Sequence, residues 1–285
     1  MWPLCASAVQ VPDDTGEPVN VSDAPCRIVS LAPGATAMVY AAGGGRCLIG
    51  TIAHSTEPAE AAKLPVIGDA ETLDFERLLA LRPTAVVVAV DVVQRVRIDR
   101  IRALGIPVYQ VHVTRLAGMS ESLRRLGALT RSGEAARRSA DALDAELAAL
   151  RARYRHRQPL RVLYQIWDKP IYTIGGRHVI NDALQLCGAS NVFGDLGTAA
   201  PAVTREAVLA RNPQIILASG PQSATDAWLA EWRRFPTIAA VREDHLVAYA
   251  DERIDRMGPS VISATGQLCE VIERARAADG AMQIR

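Results

Sequence analysis

One passage of this chain is written twice. Residues 74–89 read Asp-Phe-Glu-Arg-Leu-Leu-Ala-Leu-Arg-Pro-Thr-Ala-Val-Val-Val-Ala, and residues 204–218 read Thr-Arg-Glu-Ala-Val-Leu-Ala-Arg-Asn-Pro-Gln-Ile-Ile-Leu-Ala. Each copy opens on a helix-capping residue, Asp74 or Thr204. A glutamate follows two positions later, Glu76 or Glu206. A short apolar helix pattern, a proline (Pro83, Pro213) and an apolar, largely β-branched run complete it. A period this long is not that of a solenoid. It predicts two similar lobes with a cleft.

The length of 285 residues fits two α/β domains. The formal net charge of +1 argues against a nucleic-acid partner. No apolar run is long enough to span a bilayer. Strand and helix patterns alternate through 27–130 and again from 160, as in parallel sheets covered on both faces. Residues 133–155 differ, being a long Ala/Leu/Arg/Glu helix pattern with the apolar stripe Ala140, Leu143, Leu147 and Leu150. It reads as a rigid spacer between the lobes, or as an ordinary surface helix. The expected division is thus a signal-peptide remnant at 1–8, a disordered segment at 9–25, a first lobe at 26–132, an inter-lobe helix at 133–157 and a second lobe at 158–285.

The start, Met-Trp-Pro-Leu-Cys-Ala-Ser-Ala, reads as the tail of a secretory signal with its cleavage site before Val9. Removal would leave four cysteines. Cys26 and Cys47 open two short apolar runs. If these are neighbouring parallel strands, the thiols lie within disulfide reach. Cys187 ends one helix pattern and Cys269 lies in another, so a second bridge is open to them. Four buried free thiols are the plain alternative. There is no Cys-x-x-Cys pair, which argues against a zinc site.

Glu76 and Glu206 each fall in the first turn of a helix, where the dipole favours a carboxylate by about 0.3–1 kcal/mol. For one glutamate that explanation suffices. A matched pair on duplicated lobes also suits docking onto a two-fold partner that carries arginines. Trp167 and Tyr172 share one loop after a strand of the second lobe. His54 follows a strand of the first. Both are places where open α/β sheets bind ligands.

The motifs Arg27-Ile-Val-Ser-Leu-Ala-Pro, Glu76-Arg-Leu-Leu-Ala-Leu-Arg-Pro, Leu186-Cys-Gly-Ala-Ser-Asn-Val-Phe and Arg205-Glu-Ala-Val-Leu-Ala-Arg-Asn-Pro resemble those of periplasmic binding proteins for cobalamin, haem and ferric siderophores. The resemblance covers about residues 26–275 and is closest to the cobalamin-binding members. It implies a class III periplasmic binding protein fold, with two Rossmann-like lobes joined by a single long backbone helix. It implies cobalamin as a transported ligand held between the lobes, no resident cofactor, and a monomer when free. It also implies a periplasmic location and an ABC permease dimer that meets Glu76 and Glu206. It makes Cys187 and Cys269 a disulfide pair and leaves Cys26 with Cys47 to the strand argument alone.

Carried over position by position, the resemblance gives His54, Tyr172 and Arg256 as ligand contacts; Trp167, in the loop with Tyr172, and Asp255, beside Arg256 before the last helix, join them by position alone, and Asp255 with Arg256 could instead pair with each other. Flat aromatics suit a flat macrocycle. His54 stands where the family has a cleft tyrosine, and is able to touch a corrin or coordinate its metal. Tyr172 stands for a phenylalanine and Arg256 for an arginine. Two family features are absent. The bulky aromatic before each docking glutamate is replaced by Gly68-Asp69-Ala70 and Ala199-Ala200-Pro201. The haem branch's tyrosine is replaced by Asp69. Binding of haem or a ferric siderophore on the same fold is the alternative. An enzyme is disfavoured, since no Gly-x-Gly-x-x-Gly fingerprint, P-loop or Gly-x-Ser-x-Gly elbow is present. Gly43-Gly44-Gly45 follows a helix pattern and reads as its stop.

Overall fold

The computed structural model describes residues 9–21, 26–69, 71–90 and 92–282. The expected signal remnant at 1–8, with Cys5, lies outside them. The chain divides into two compact units: 1–113, 117–145 and 256–259 form the first; 114–116, 146–255 and 260–285 form the second. The division falls inside the long helix rather than at its ends. The short return of 256–259 to unit 1 was not foreseen. It depends on Gly34, where a Cβ would lie 2.0 Å from the carbonyl oxygen of Arg256, so only a glycine admits this approach.

Unit 1 contains β1 (Val9–Pro12), β2 (Pro18–Val21), β3 (Ile28–Ser30), α1 (Pro33–Ala41), β4 (Leu48–Gly50), α2 (Phe75–Ala80), β5 (Ala85–Ala89), α3 (Arg95–Ala103), β6 (Val108–Val111), α4 (Gly118–Leu129) and the first part of α5 (Gly133–Tyr154). Its main sheet has the order β4-β3-β5-β6 and is parallel throughout. Central β5 is buried from Ala85 to Val88, which is why it reads as an unbroken apolar run. Val29, Val86, Val88, Leu78, Ile98 and Ile101 form the core between the sheet and α2 and α3.

Residues 9–21 correct the expectation of a disordered segment at 9–25; 22–25 lie outside the described residues. Strands β1 and β2 pair antiparallel, Val9 opposite Val21 and Pro12 opposite Pro18. Pro12 and Pro18 flank the turn of this hairpin. Asp13 holds the turn, its Oδ1 accepting from the Thr15 N–H, the Thr15 hydroxyl and the Glu17 N–H at 2.7–2.9 Å. Its Oδ2 accepts from the Gln110 N–H and side-chain amide at 3.2 and 3.1 Å. Asp14 accepts from Tyr109, His112 N–H, Ser122 and Arg125. Two carboxylates thus pin the hairpin to β6 and α4. Partners about a hundred residues away are invisible to local pattern.

Unit 2 contains the rest of α5, β7 (Leu160–Trp167), β8 (Ile171–Thr173), α6 (Val179–Leu186), β9 (Ala189–Asn191), β10 (Ala202–Val203), α7 (Arg205–Arg211), β11 (Ile215–Ser219), α8 (Gln222–Trp232), α9 (Ala239–Arg242), β12 (Leu246–Tyr249), α10 (Glu252–Asp255) and α11 (Val261–Met282). The sheet order is β10-β8-β7-β11-β12. Contrary to the parallel pattern expected, β8 runs antiparallel to both of its neighbours, β7 and β10. Parallel β9 takes the first part of β7's outer edge and antiparallel β8 the last part.

The two units repeat one local construction. Val162 pairs with Ile215 as Ile28 pairs with Ala85. The guanidinium of Arg27 donates to the carbonyls of Leu81 and Arg82, and that of Arg161 donates to the carbonyl of Asn212. Each arginine caps the carboxyl end of the repeated helix, just before Pro83 or Pro213, where Arg82 and Asn212 are both left-handed. The duplication therefore extends to the strand that precedes each repeat in space.

Both disulfides are present. Cys26 pairs with Cys47 at a Cα separation of 5.1 Å, and Cys187 pairs with Cys269 at 4.7 Å. The first ties the segments entering β3 and β4, whose residues Ile28 and Leu48 are register partners. The second ties the end of α6 to the interior of α11.

Candidate functional site

The carboxyl ends of the parallel strands carry the residues of interest in each unit. In unit 1 the chain leaves β4 through Thr51, whose hydroxyl is 2.9 Å from that of Thr36 and donates to Ser55 at 2.8 Å. This buried hydroxyl chain props the turn that presents His54. His54 is exposed and takes a left-handed backbone, φ 65°. Arg256 reaches the same turn, its Nη1 donating to the Thr56 hydroxyl at 3.3 Å. The sequence offered no sign of this contact.

A small apolar crevice adjoins the same strand ends, lined by Leu31, Ile52, Leu73, Val92 and Val93 with Asp69 and Arg97. Val92 is 37% exposed at its mouth. The Asp69 carboxylate accepts from the Glu71 and Thr72 N–H groups and the Thr72 hydroxyl, at 2.6–2.9 Å. The Thr72 and Glu71 N–H groups, in that order, hold its pKa below the usual carboxylate range. One Asp69 oxygen is thereby committed to its own turn.

In unit 2 the loop expected to carry Trp167 and Tyr172 is a hairpin. Trp167 ends β7, and Tyr172 is its register partner on β8. Cross-strand partners share a face of the sheet. Both side chains are exposed, Trp167 to 57% and Tyr172 to 36%. Trp167 meets Trp228 of α8 in an edge-to-face pair, centroids 6.1 Å apart, so the ring is braced on one side while more than half of the residue stays open.

At the ends of β11 and β12, Ser219 donates to both carboxylate oxygens of Asp255, at 3.2 and 3.1 Å. Asp255 is an exposed residue, but its carboxyl lies against dense protein, with Tyr164 buried nearby. This desolvation, followed by the charges of Asp251 and Glu252, pushes its pKa up. Asp251 is instead held ionised by Arg253, which donates to it at 2.8 and 2.7 Å. Ser219 was missed in the sequence, where it reads only as the end of an apolar strand.

Glu76 and Glu206 are exposed and occupy the second position of α2 and α7. Asp74 caps α2 by accepting from the Arg77 N–H at 2.9 Å, and Thr204 caps α7 by accepting from the Ala207 N–H at 3.2 Å. Its own backbone N–H and the Thr204 hydroxyl hold the Glu206 pKa down. His178 caps α6, Nδ1 accepting from the Ile180 N–H at 3.2 Å. Among the described residues, no three His, Cys, Asp or Glu side chains converge on a metal site.

Comparison with known proteins gives a consistent answer. The family description "Periplasmic binding protein" matches residues 28–252. The vitamin B12-binding protein of Yersinia pestis (strain Pestoides F) is 31% identical over 244 residues, 86% of this chain and 85% of its own length. The crystal structure of the periplasmic vitamin B12 binding protein BtuF of Vibrio cholerae superposes with a TM-score of 0.79 at 29% identity, covering 88% of this chain and 98% of that one. The periplasmic haem-binding protein RhuT of Roseiflexus sp. RS-1, at 24% identity and a TM-score of 0.74 over 87% and 98% of the two chains, shares the fold. On the match across residues 28–252 and the 31% identity to a relative matched over 85% of its length, this chain belongs to the periplasmic binding protein family.

Proposed function

We propose that this protein is the exported, substrate-binding component of a cobalamin importer. It captures the corrinoid and delivers it to an ABC permease dimer, without chemical turnover. The observation that carries this reading is the 31% identity, over most of both chains, to a protein named for vitamin B12 binding. Trp167 and Tyr172 on one sheet face offer the stacking surface that a flat corrin needs. His54, Asp255 and Arg256 supply polar contacts at strand ends, suited to the ligand's amide-bearing periphery. Glu76 and Glu206 dock on arginines of the permease, each carboxylate already carried on a capped helix turn. The free protein acts as a monomer in the periplasm.

Titration calorimetry with cyanocobalamin and with hemin, run side by side on the purified protein, tests this. Saturable cobalamin binding is expected. A shifted Soret band with hemin and no cobalamin heat would replace the reading with a haem carrier of the same fold.

A further inference from the structure

The chain has five histidines, at 54, 112, 156, 178 and 245. His178 spends Nδ1 on capping α6. His245 is buried and His112 partly so, and both are engaged with neighbouring groups. His54 and His156 are exposed, and neither imidazole has a hydrogen-bond or ion-pair partner among the described residues. His156 follows the end of α5, before β7 begins. Of the two, only His54 stands beyond the carboxyl end of a parallel strand, where open α/β sheets bind ligands.

The turn that carries it is held from three sides. The Ala53 N–H donates to the Gly68 carbonyl at 2.8 Å, and the Thr51 hydroxyl donates to that of buried Ser55 at 2.8 Å. Arg256 donates to the Thr56 hydroxyl at 3.3 Å. His54 itself is left-handed at φ 65°, an uncommon backbone for a residue with a side chain. The segment bonded to this turn makes no claim on the imidazole. Gly68 has no side chain and no room for one, since a Cβ would lie 2.2 Å from the Thr72 carbonyl oxygen. The Asp69 carboxylate is occupied by its own turn.

One imidazole does not hold a free metal ion, which takes three or more protein ligands. No such group converges among the described residues. One imidazole does suffice for a metal that arrives inside a macrocycle. There the ring nitrogens fill the equatorial positions, and a neutral histidine nitrogen completes an axial one. A merely solvated ring is the plain alternative. It accounts for the exposure, but not for a left-handed backbone pinned on three sides.

We propose a sharper role for His54 than a polar contact: its imidazole is an axial ligand to the cobalt of the captured corrinoid, and it selects corrinoids whose upper ligand is exchangeable water. This rests on the cobalamin reading above. In the exchange, water leaves cobalt(III) with its electron pair and the lone pair of one imidazole nitrogen takes its place. The other ring nitrogen keeps its proton, and no oxidation state changes.

Aquacobalamin and cyanocobalamin are titrated separately into the full-length protein, with calorimetry for affinity and absorption spectra read in parallel. A saturable red shift of the near-ultraviolet band of aquacobalamin is expected, with binding at least about tenfold tighter than for cyanocobalamin. Cyanide holds cobalt too firmly to be displaced, so the cyanocobalamin spectrum is expected to stay unchanged. In His54→Ala the shift and the preference are lost while cyanocobalamin still binds; His156→Ala keeps both. Saturable aquacobalamin binding without a shift, a shift kept in His54→Ala, or equal affinity for the two cobalamins overturns the axial role and leaves the transport reading intact. Binding of neither cobalamin overturns both.

Discussion

Trp167 and Tyr172 are register partners on the antiparallel strands β7 and β8, and Trp167 packs edge-to-face with Trp228. A loop would leave both rings free to rotate. A hairpin fixes them on one face and lowers the entropy lost when a flat ligand stacks there. Trp167→Ala is expected to weaken cobalamin binding about thirtyfold, with Tyr172→Ala losing less. Calorimetry reads the affinity and a thermal melt checks the fold. Unchanged affinity in both variants would place the ligand elsewhere.

The matched glutamates separate docking from capture. Neither Glu76 nor Glu206 caps its own helix; Asp74 and Thr204 do that. Glu76→Ala with Glu206→Ala is expected to leave cobalamin affinity and melting temperature within error while uptake in a transport-competent cell falls to background. Loss of affinity in the double variant would count against the docking role.

Asp13 makes the N-terminal hairpin part of unit 1. It is 1% exposed and accepts five hydrogen bonds, three inside the turn and two from Gln110. Asp13→Ala leaves those donors unpaired and is expected to cost about 2–4 kcal/mol in a urea titration. A change below 0.5 kcal/mol would mean the hairpin contributes little to folding.

The disulfides differ in the loop they close, 21 residues for Cys26–Cys47 and 82 for Cys187–Cys269. Chain entropy then predicts losses of about 3 and about 4.5 kcal/mol when each pair is changed to serine. Denaturant midpoints of the two double variants check both the size and the order.

Asp255 gives a pH dependence of known sign. Its folded-state pKa is raised, so its ionised form is disfavoured in the native protein. That penalty is complete well above the raised pKa, and shrinks as pH falls through it toward the unfolded value. Asp255→Asn is therefore expected to stabilise the protein at pH 7, and to lose that advantage on acidification. Denaturant midpoints of wild type and variant at pH 7 and pH 4 decide it. A larger advantage at the lower pH would refute the assignment. Because Ser219 donates to this carboxylate, Ser219→Ala is expected to raise the pKa further.

Much of this protein is local in origin and was legible in the chain. The cap residue, the glutamate, the proline and the apolar run of each repeat act within a few neighbours. They place α2 before β5 and α7 before β11, and put Glu76 and Glu206 at the same helical position. Cys26 and Cys47 open two apolar runs in the sequence, but their bridge followed only on the condition, met in β3 and β4, that those runs pair as neighbouring parallel strands. What only the tertiary structure decided depends on polar groups finding distant partners. Asp13 meets Gln110, Arg256 reaches Thr56, Ser219 binds Asp255, and the backbone of Arg256 closes on Gly34. The direction of β8, which turns Trp167 and Tyr172 to one face, belongs with these. Hydrophobic period and turn chemistry are encoded over a few residues. The desolvation and pairing of a carboxylate, or the close approach of two backbones, depend on atoms that the fold alone brings together.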